Sequence, residues 1–223
     1  MLSSSSPSSR IEPKPKPLLR GVSHQIAFFV AVVASALLVR SAHTHRGAIA
    51  SGIFGASLAV LLGTSALYHR IDWQPAARAR MRRLDHAAIF LLIAGGYTPL
   101  LWLVPVAGGG HGALLAVWLG ALVGIAKSVF WIGSPKWVTP VISLAVGWML
   151  LGPVLARTPS LSALSVACIV MSGALYSAGA IVYALKRPDP FPRVFGYHEV
   201  FHALVILASV ALFVHVALLV TAG

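Results

Sequence analysis

Apolar residues run nearly unbroken for about twenty positions at a time, and they do so seven times along this chain. The runs cover residues 21–39, 48–68, 85–106, 112–132, 138–156, 161–185 and 197–220. Each is long enough to cross a hydrocarbon core of about 30 Å as a helix. Outer-membrane barrel strands would be shorter and would alternate, and these do not. Backbone groups in lipid must be satisfied within their own segment, so such runs are helices. The pattern predicts an all-α polytopic membrane protein, with seven transmembrane helices forming one bundle over residues 21–223. Residues 1–20 break the pattern. They are rich in Ser, Pro and basic residues, and they read as a disordered basic cytoplasmic tail. The first run is expected to act as an uncleaved signal anchor, with no cleavable signal before it.

Composition supports this reading. The chain is 58% hydrophobic and only 10% charged, where soluble domains carry about one quarter. A net charge of +12 raises the question of nucleic acid, but the distribution of the charge answers it. Arg10, Lys14, Lys16 and Arg20 precede the first run. Arg70, Arg78, Arg80, Arg82 and Arg83 follow the second. Lys127 and Lys136 flank the end of the fourth, and Lys186, Arg187 and Arg193 follow the sixth. All lie on one side of the membrane. Arg40, Arg46 and Arg157 alone lie on the other. The positive-inside rule then predicts an integral plasma (inner) membrane protein with a cytoplasmic N-terminus and an external C-terminus. Membrane lipids, not nucleic acid, are the expected partners. Lys127 is expected to snorkel to the cytoplasmic surface. The arginine-rich loop RIDWQPAARARMRR reads as a topology determinant before a headgroup-binding surface. The one cysteine, Cys168, lies inside an apolar run and reads as a small core residue.

That topology sorts the polar residues by depth. His198 and His202, in GYHEVFH, share one helix face one turn apart, a spacing that lets two imidazoles share an ion. His69 ends the second helix, with Ser65 one turn deeper. Asp85 is expected to open the third helix. Three helices thus bring His69, Ser65, Asp85, His198 and His202 to one level on one side. Three histidines and a water make a catalytic zinc shell. Asp85 is then the candidate to hold or deprotonate the water, and Ser65 the candidate donor to the water or to a substrate oxygen. From these residues alone a proton relay is the alternative. HEVFH also fits H-E-x-x-H, with Glu199 as a base. Glu199 can instead cap the first turn, and Asp85 is the better base by depth.

The other polar positions are read structurally. His24 can approach the site, but nothing pairs it with a second ligand. His86 points elsewhere, and His43, His45 and His111 belong to the outer connections. His215 lies about 20 Å along the last helix from His202. Gly95, Gly96, Tyr97, Thr98 and Pro99 are expected to interrupt the third helix, either by a kink or for close packing, with Tyr97 able to line a cavity. The glycines and alanines of the second and sixth runs read as packing faces. Trp73, Trp102, Trp131 and Trp137 mark an aromatic belt.

SALYHR at residues 65–70, LDHAAIFLLIAGGYTP at 84–99 and GYHEVFH at 196–202 together resemble the hemolysin III family. That family is similar to the progestin and adipoQ receptors and, more distantly, to the alkaline ceramidases. The resemblance runs from about residue 20 to the end. It implies a seven-helix fold with a cytoplasmic N-terminus and an intramembrane zinc site near the cytoplasmic face. Its ligands would be His69, His198 and His202. Asp85 would hold the zinc-bound water, and Ser65 would sit beside it. Glu199 is common in the bacterial branch but not in the receptors, which counts against an obligatory base. The family takes its name from a haemolytic, pore-forming activity, whereas the wider superfamily is proposed to hold metal-dependent lipid amidases.

Three functions therefore compete. The first is a zinc-dependent hydrolase of a lipid amide or ester. The second is a receptor-like homeostatic protein in which zinc is structural. The third is a pore-forming cytolysin; the lack of polar lining in the outer half of the runs stands against a monomeric pore and leaves an oligomeric one open.

Overall fold

A computed structural model describes residues 16–105, 110–131, 133–135, 137–149, 151–156 and 160–221. The helices are α1 (Val22–Arg40), α2 (His45–Arg70), α3 (Pro75–Leu103), α4 (His111–Phe130), α5 (Val138–Met149), α6 (Leu151–Ala156), α7 (Ala163–Leu185) and α8 (Tyr197–Thr221). Among the described residues there is no strand, only an isolated bridge between Phe191 and Phe195. Six helices (α1, α2, α3, α4, α7 and α8) are long and apolar enough to cross a membrane. The fifth apolar run is described as the helical stretches α5 and α6 on either side of residue 150, which lies outside the described residues.

The third helix also begins elsewhere than expected. It starts at Pro75, ten residues before Asp85. Pro at the first helical position loses only an N–H that would have no partner there. The Ala and Arg residues that follow are good helix formers although they are not apolar. At 29 residues, α3 is about 43 Å long and overreaches the hydrocarbon core. Arg78, Arg80, Arg82 and Arg83 are therefore on helix, not loop. Nor do residues 95–99 interrupt it, since the helix runs on to Leu103. Pro99 leaves the turn before it short of one N–H donor. Local side chains brace this stretch. Thr98 Oγ1 donates to Ala94 O at 2.8 Å and accepts from Trp118 Nε1 at 3.2 Å. The Tyr97 hydroxyl donates to Gly147 O of α5 at 2.6 Å, so it ties two helices together.

Neighbours in sequence pack as neighbours in space: α1 on α2, α2 on α3, α3 on α4, and α7 on α8. α8 also touches α1, α2 and α3, which closes the bundle. Two apolar cores result. One gathers Phe54, Leu58, Leu92, Leu212 and Val216 between α2, α3 and α8, and the other gathers Phe90, Leu100, Val117 and Ala121 between α3 and α4. Phe29, Val33, Val123, Ile181 and Val210 face outward, as side chains in lipid do. Lipid removes most of the hydrophobic drive between helices, so close approach through small residues has to supply the packing. Gly95 of α3 lies against Ser57 of α2, and Gly124 of α4 lies under the Phe90 ring.

A side chain at Gly95 would collide with Ser57 at this crossing. Gly95→Leu should therefore destabilise the bundle by about 1–3 kcal/mol. Gly112, where an added Cβ meets nothing within 4 Å, should accept Ala with a change inside about 0.5 kcal/mol. Thermal unfolding of the two variants in one detergent checks both, and equal midpoints would contradict the packing account.

Candidate metal centre

The register of two antiparallel helices builds one wall of the site. Ser57 of α2 meets Gly95 of α3. Eight residues further along α2 stands Ser65, and ten residues back along α3 stands Asp85. These rises of about 12 and 15 Å keep the two residues level, and the Ser65 side chain does interact with the Asp85 carboxylate. Ser65 is buried and Asp85 half-buried. One turn past Ser65, His69 lies in the last turn of α2.

The second wall is the start of α8. Gly196 precedes it, and two side chains satisfy its first amides. Asp189 Oδ1 accepts the Tyr197 N–H at 2.8 Å, and Glu199 Oε2 accepts the Gly196 N–H at 2.9 Å. A glutamate at the third helical position that reaches back to the cap amide is half of a capping box. Its other oxygen, Oε1, accepts from Arg20 Nε at 2.5 Å. Both oxygens of this buried carboxylate are thus engaged. This arrangement supports the capping role for Glu199, not that of a base.

With α8 started in this way, His198 and His202 face α2. His198 Nε2 lies 3.2 Å from His69 Nε2. One ligand atom from each of His69, His198 and His202 can be chosen so that all lie within 4.8 Å of one another. Nitrogens bound to a tetrahedral zinc at 2.0–2.1 Å stand about 3.3 Å apart, so the observed spacing is close to a coordination shell. His202 is 1% exposed, and its Nδ1 has no hydrogen-bond partner. A buried polar atom left so is costly unless something binds there. The donor set, three neutral imidazoles, suits zinc and other first-row metals. Asp85 is outside the trio whose ligand atoms converge. Its partner is Ser65, one turn before His69 on α2.

His24 was the residue least well placed from sequence. Its ring lies flat on His202, with centroids 3.9 Å apart and planes 9° apart. A ligand nitrogen points at its metal in the plane of its ring. Two parallel rings this close cannot both direct a lone pair to one ion at about 2 Å, so His24 braces His202 and does not ligate with it. Hydropathy gave no sign of this contact, but a histidine one turn into an apolar helix was a signal. Arg20 was read only as a charge that sets topology, and its pairing with Glu199 spans 179 positions.

The remaining residues fall largely where the pattern put them. His215, fully buried, bonds through Nδ1 with Ser165 Oγ at 2.8 Å and ties α8 to α7. Lys127 Nζ donates to Thr139 Oγ1 of α5 at 2.5 Å. Cys168 is a free thiol, half-buried. Beside the histidines a cleft of about 430 Å³ opens between α5 and α7, lined by Val141, Leu144, Ile181, Tyr183 and Tyr197 among others. The Tyr183 ring lines this cleft and lies 5.8 Å from that of His198.

Comparison with known proteins points to one family. The family described as Haemolysin-III related matches residues 13–213. A hemolysin-3 homolog of Bacillus subtilis is 31% identical over 200 residues, 88% of this chain and 90% of the relative. Hemolysin-3 of Bacillus cereus is 27% identical over 199 residues, 88% of each chain. An adiponectin receptor protein of Drosophila melanogaster is 28% identical over 194 residues, 75% of this chain and 41% of the receptor. With the match across nearly its whole length and six helices fit to span a bilayer, this chain is an integral membrane protein of the haemolysin III family.

Proposed function

We propose that this protein is a zinc-dependent hydrolase of a lipid amide or ester, with its site near the cytoplasmic face of the membrane. The observation that carries this reading is the convergence of His69, His198 and His202 beside the Asp85–Ser65 pair. In it the three histidines hold the ion. A bound zinc supplies Lewis acidity toward a carbonyl and makes water acidic near neutral pH. Asp85 is the group that takes a proton from an attacking water. Ser65 donates its single hydroxyl hydrogen to the Asp85 carboxylate and so orients it toward the attacking water. The apolar cleft beside Tyr183 suits an acyl chain, which would leave the amide or ester at the level of the histidines. Glu199 takes no part in proton transfer, because both of its oxygens are already engaged.

The proposal includes seven crossings. α2 ends and α8 begins at the histidine cluster, and each inner helix pair is antiparallel. Gly124 meets Phe90 and Trp118 meets Thr98, so α4 returns to the level of the cluster. Tyr176 meets Ser209 and Ser165 meets His215, so α7 starts at the opposite end. The chain must therefore cross once between α4 and α7. α5 and α6 together, at about 27 Å, supply nearly the length required. The basic connections then place the N-terminus in the cytoplasm. Alkaline phosphatase fused at the C-terminus should be active, and a green fluorescent protein fusion dark. The reverse result would refute this orientation.

Purified without chelators, the wild-type chain should hold about one zinc, and His202→Ala none. At a hundredfold excess over Kd, zinc should stabilise the wild type by about 2.7 kcal/mol and leave the variant unmoved. No metal in the wild type would sink the proposal. Asp85→Asn should keep its zinc and lose about 10²–10⁴-fold in hydrolysis of a ceramide-like amide or a lipid ester. Full activity in Asp85→Asn would remove Asp85 from the mechanism. Zinc without turnover of any such lipid would make the ion a clamp between α2 and α8.

A further inference from the structure

Of the residues just before α1, which lie across the histidine cluster, Lys16, Leu18 and Leu19 are exposed. Leu18 N–H donates to Arg193 O at 3.0 Å, and Leu19 N–H donates to Val194 O at 3.1 Å. Lys16 Nζ pairs with Asp72 Oδ1 at 2.9 Å. Leu18 is 72% exposed and Leu19 41% exposed, so apolar burial does little to hold the segment in place. Exposed ion pairs such as Lys16–Asp72 also contribute little. Arg20 differs. Its guanidinium reaches Glu199, which is 1% exposed and lies between the two histidines of α8. The next residue, Gly21, has φ 78°, a conformation that L side chains rarely adopt. A Cβ there would stand 2.8 Å from His69 Cβ. The backbone at this point therefore packs directly on a proposed ligand. Three residues on, His24 covers His202.

The contacts thus run from the connection between α2 and α3, across the one between α7 and α8, to the histidines. They bridge the two parts of the fold that supply the cluster, and none of residues 16–21 belongs to either apolar core. A segment with few buried contacts opens more easily than the helices it covers. Arg20 is the exception that sets how easily.

We propose that residues 16–21 form a strap that closes the approach to the histidine cluster from its membrane surface, with the Arg20–Glu199 pair as the latch. The strap itself rests on the geometry above. Its control of access to a bound metal rests in addition on the metal reading. Opening the strap would admit water-soluble reactants, or a chelator, without unfolding the bundle.

Two measurements on the full-length protein in nanodiscs test this. Hydrogen exchange reads the Leu18 and Leu19 amides and needs no metal. Transfer of zinc to an excess of chelator reads access to the cluster. Arg20→Ala should speed exchange at Leu18 and Leu19 by about tenfold or more while the amides of α2 and α8 keep their protection. It should also speed zinc transfer by a similar factor at unchanged zinc content. Lys16→Ala should change either rate by no more than about twofold. If Arg20→Ala does not fold, Glu199→Gln takes its place, since its oxygen can still accept the Gly196 N–H while an NH2 that cannot accept from Arg20 replaces the other oxygen. Leu18 and Leu19 amides that exchange freely in the wild type, or unchanged exchange in the latch variant, would overturn the strap. Faster exchange with unchanged zinc transfer would overturn its control of access. A wild type without zinc would remove the metal reading, and the exchange result would still decide whether the strap is latched.

Discussion

Imidazoles buried at the edge of a bilayer must find partners, and that requirement ties the two ends of this chain together. His69 closes α2, and His198 and His202 open α8, 129 or more positions later. None of these rings is free to turn to bulk water: His198 and His202 are buried, and His69 half-buried. They can be satisfied by one another, by an ion, or not at all, and the last is expensive in a low-dielectric site. For the rings to meet, the end of α2 and the start of α8 must be level to within about one turn. Much of the bundle can be read as the means to that alignment. The antiparallel register of α2 and α3 sets Asp85 level with Ser65, and the cap on α8 fixes where its first turn begins.

The capping of α8 deserves comparison with the sequence motif that contains it. HEVFH suggests a zinc protease helix, in which the glutamate between the histidines is the base. Here the same glutamate begins the helix. It accepts the amide of Gly196 and the guanidinium of Arg20. Where a motif sits in its helix changes its chemistry. In mid-helix the backbone amides are already bonded and a carboxylate is free to act on a substrate. In the first turn the amides are orphans, and they claim the carboxylate.

Several residues of the site were legible because depth can be counted. Loop charges orient the helices, helix lengths convert position to depth, and an i, i+4 pair of histidines shares a face. The count failed where helix and hydrocarbon do not end together. Hydropathy locates the part of α3 inside lipid and is blind to the ten Ala- and Arg-rich residues before it, which are helical all the same. It failed again at residues 16–20. Proline and charge there resemble a solvated tail, yet Arg20 is drawn into the site by a carboxylate 179 positions away. The first fifteen residues of that expected tail lie outside the described ones.

By itself the sequence determined that this chain lives in a bilayer as helices, because lipid leaves unpaired backbone no alternative. It also determined which polar residues share a depth, because rise per residue is constant along a helix. It did not determine which side chains meet across that depth. That Glu199 pairs with Arg20, that His24 lies flat on His202, and that Ser65 rather than a histidine meets Asp85 were decided only by tertiary packing. Those contacts depend on how far each helix is rotated about its own axis. In a membrane that rotation is set by which small residues let two backbones come close, a property of pairs of helices that no single stretch of sequence carries.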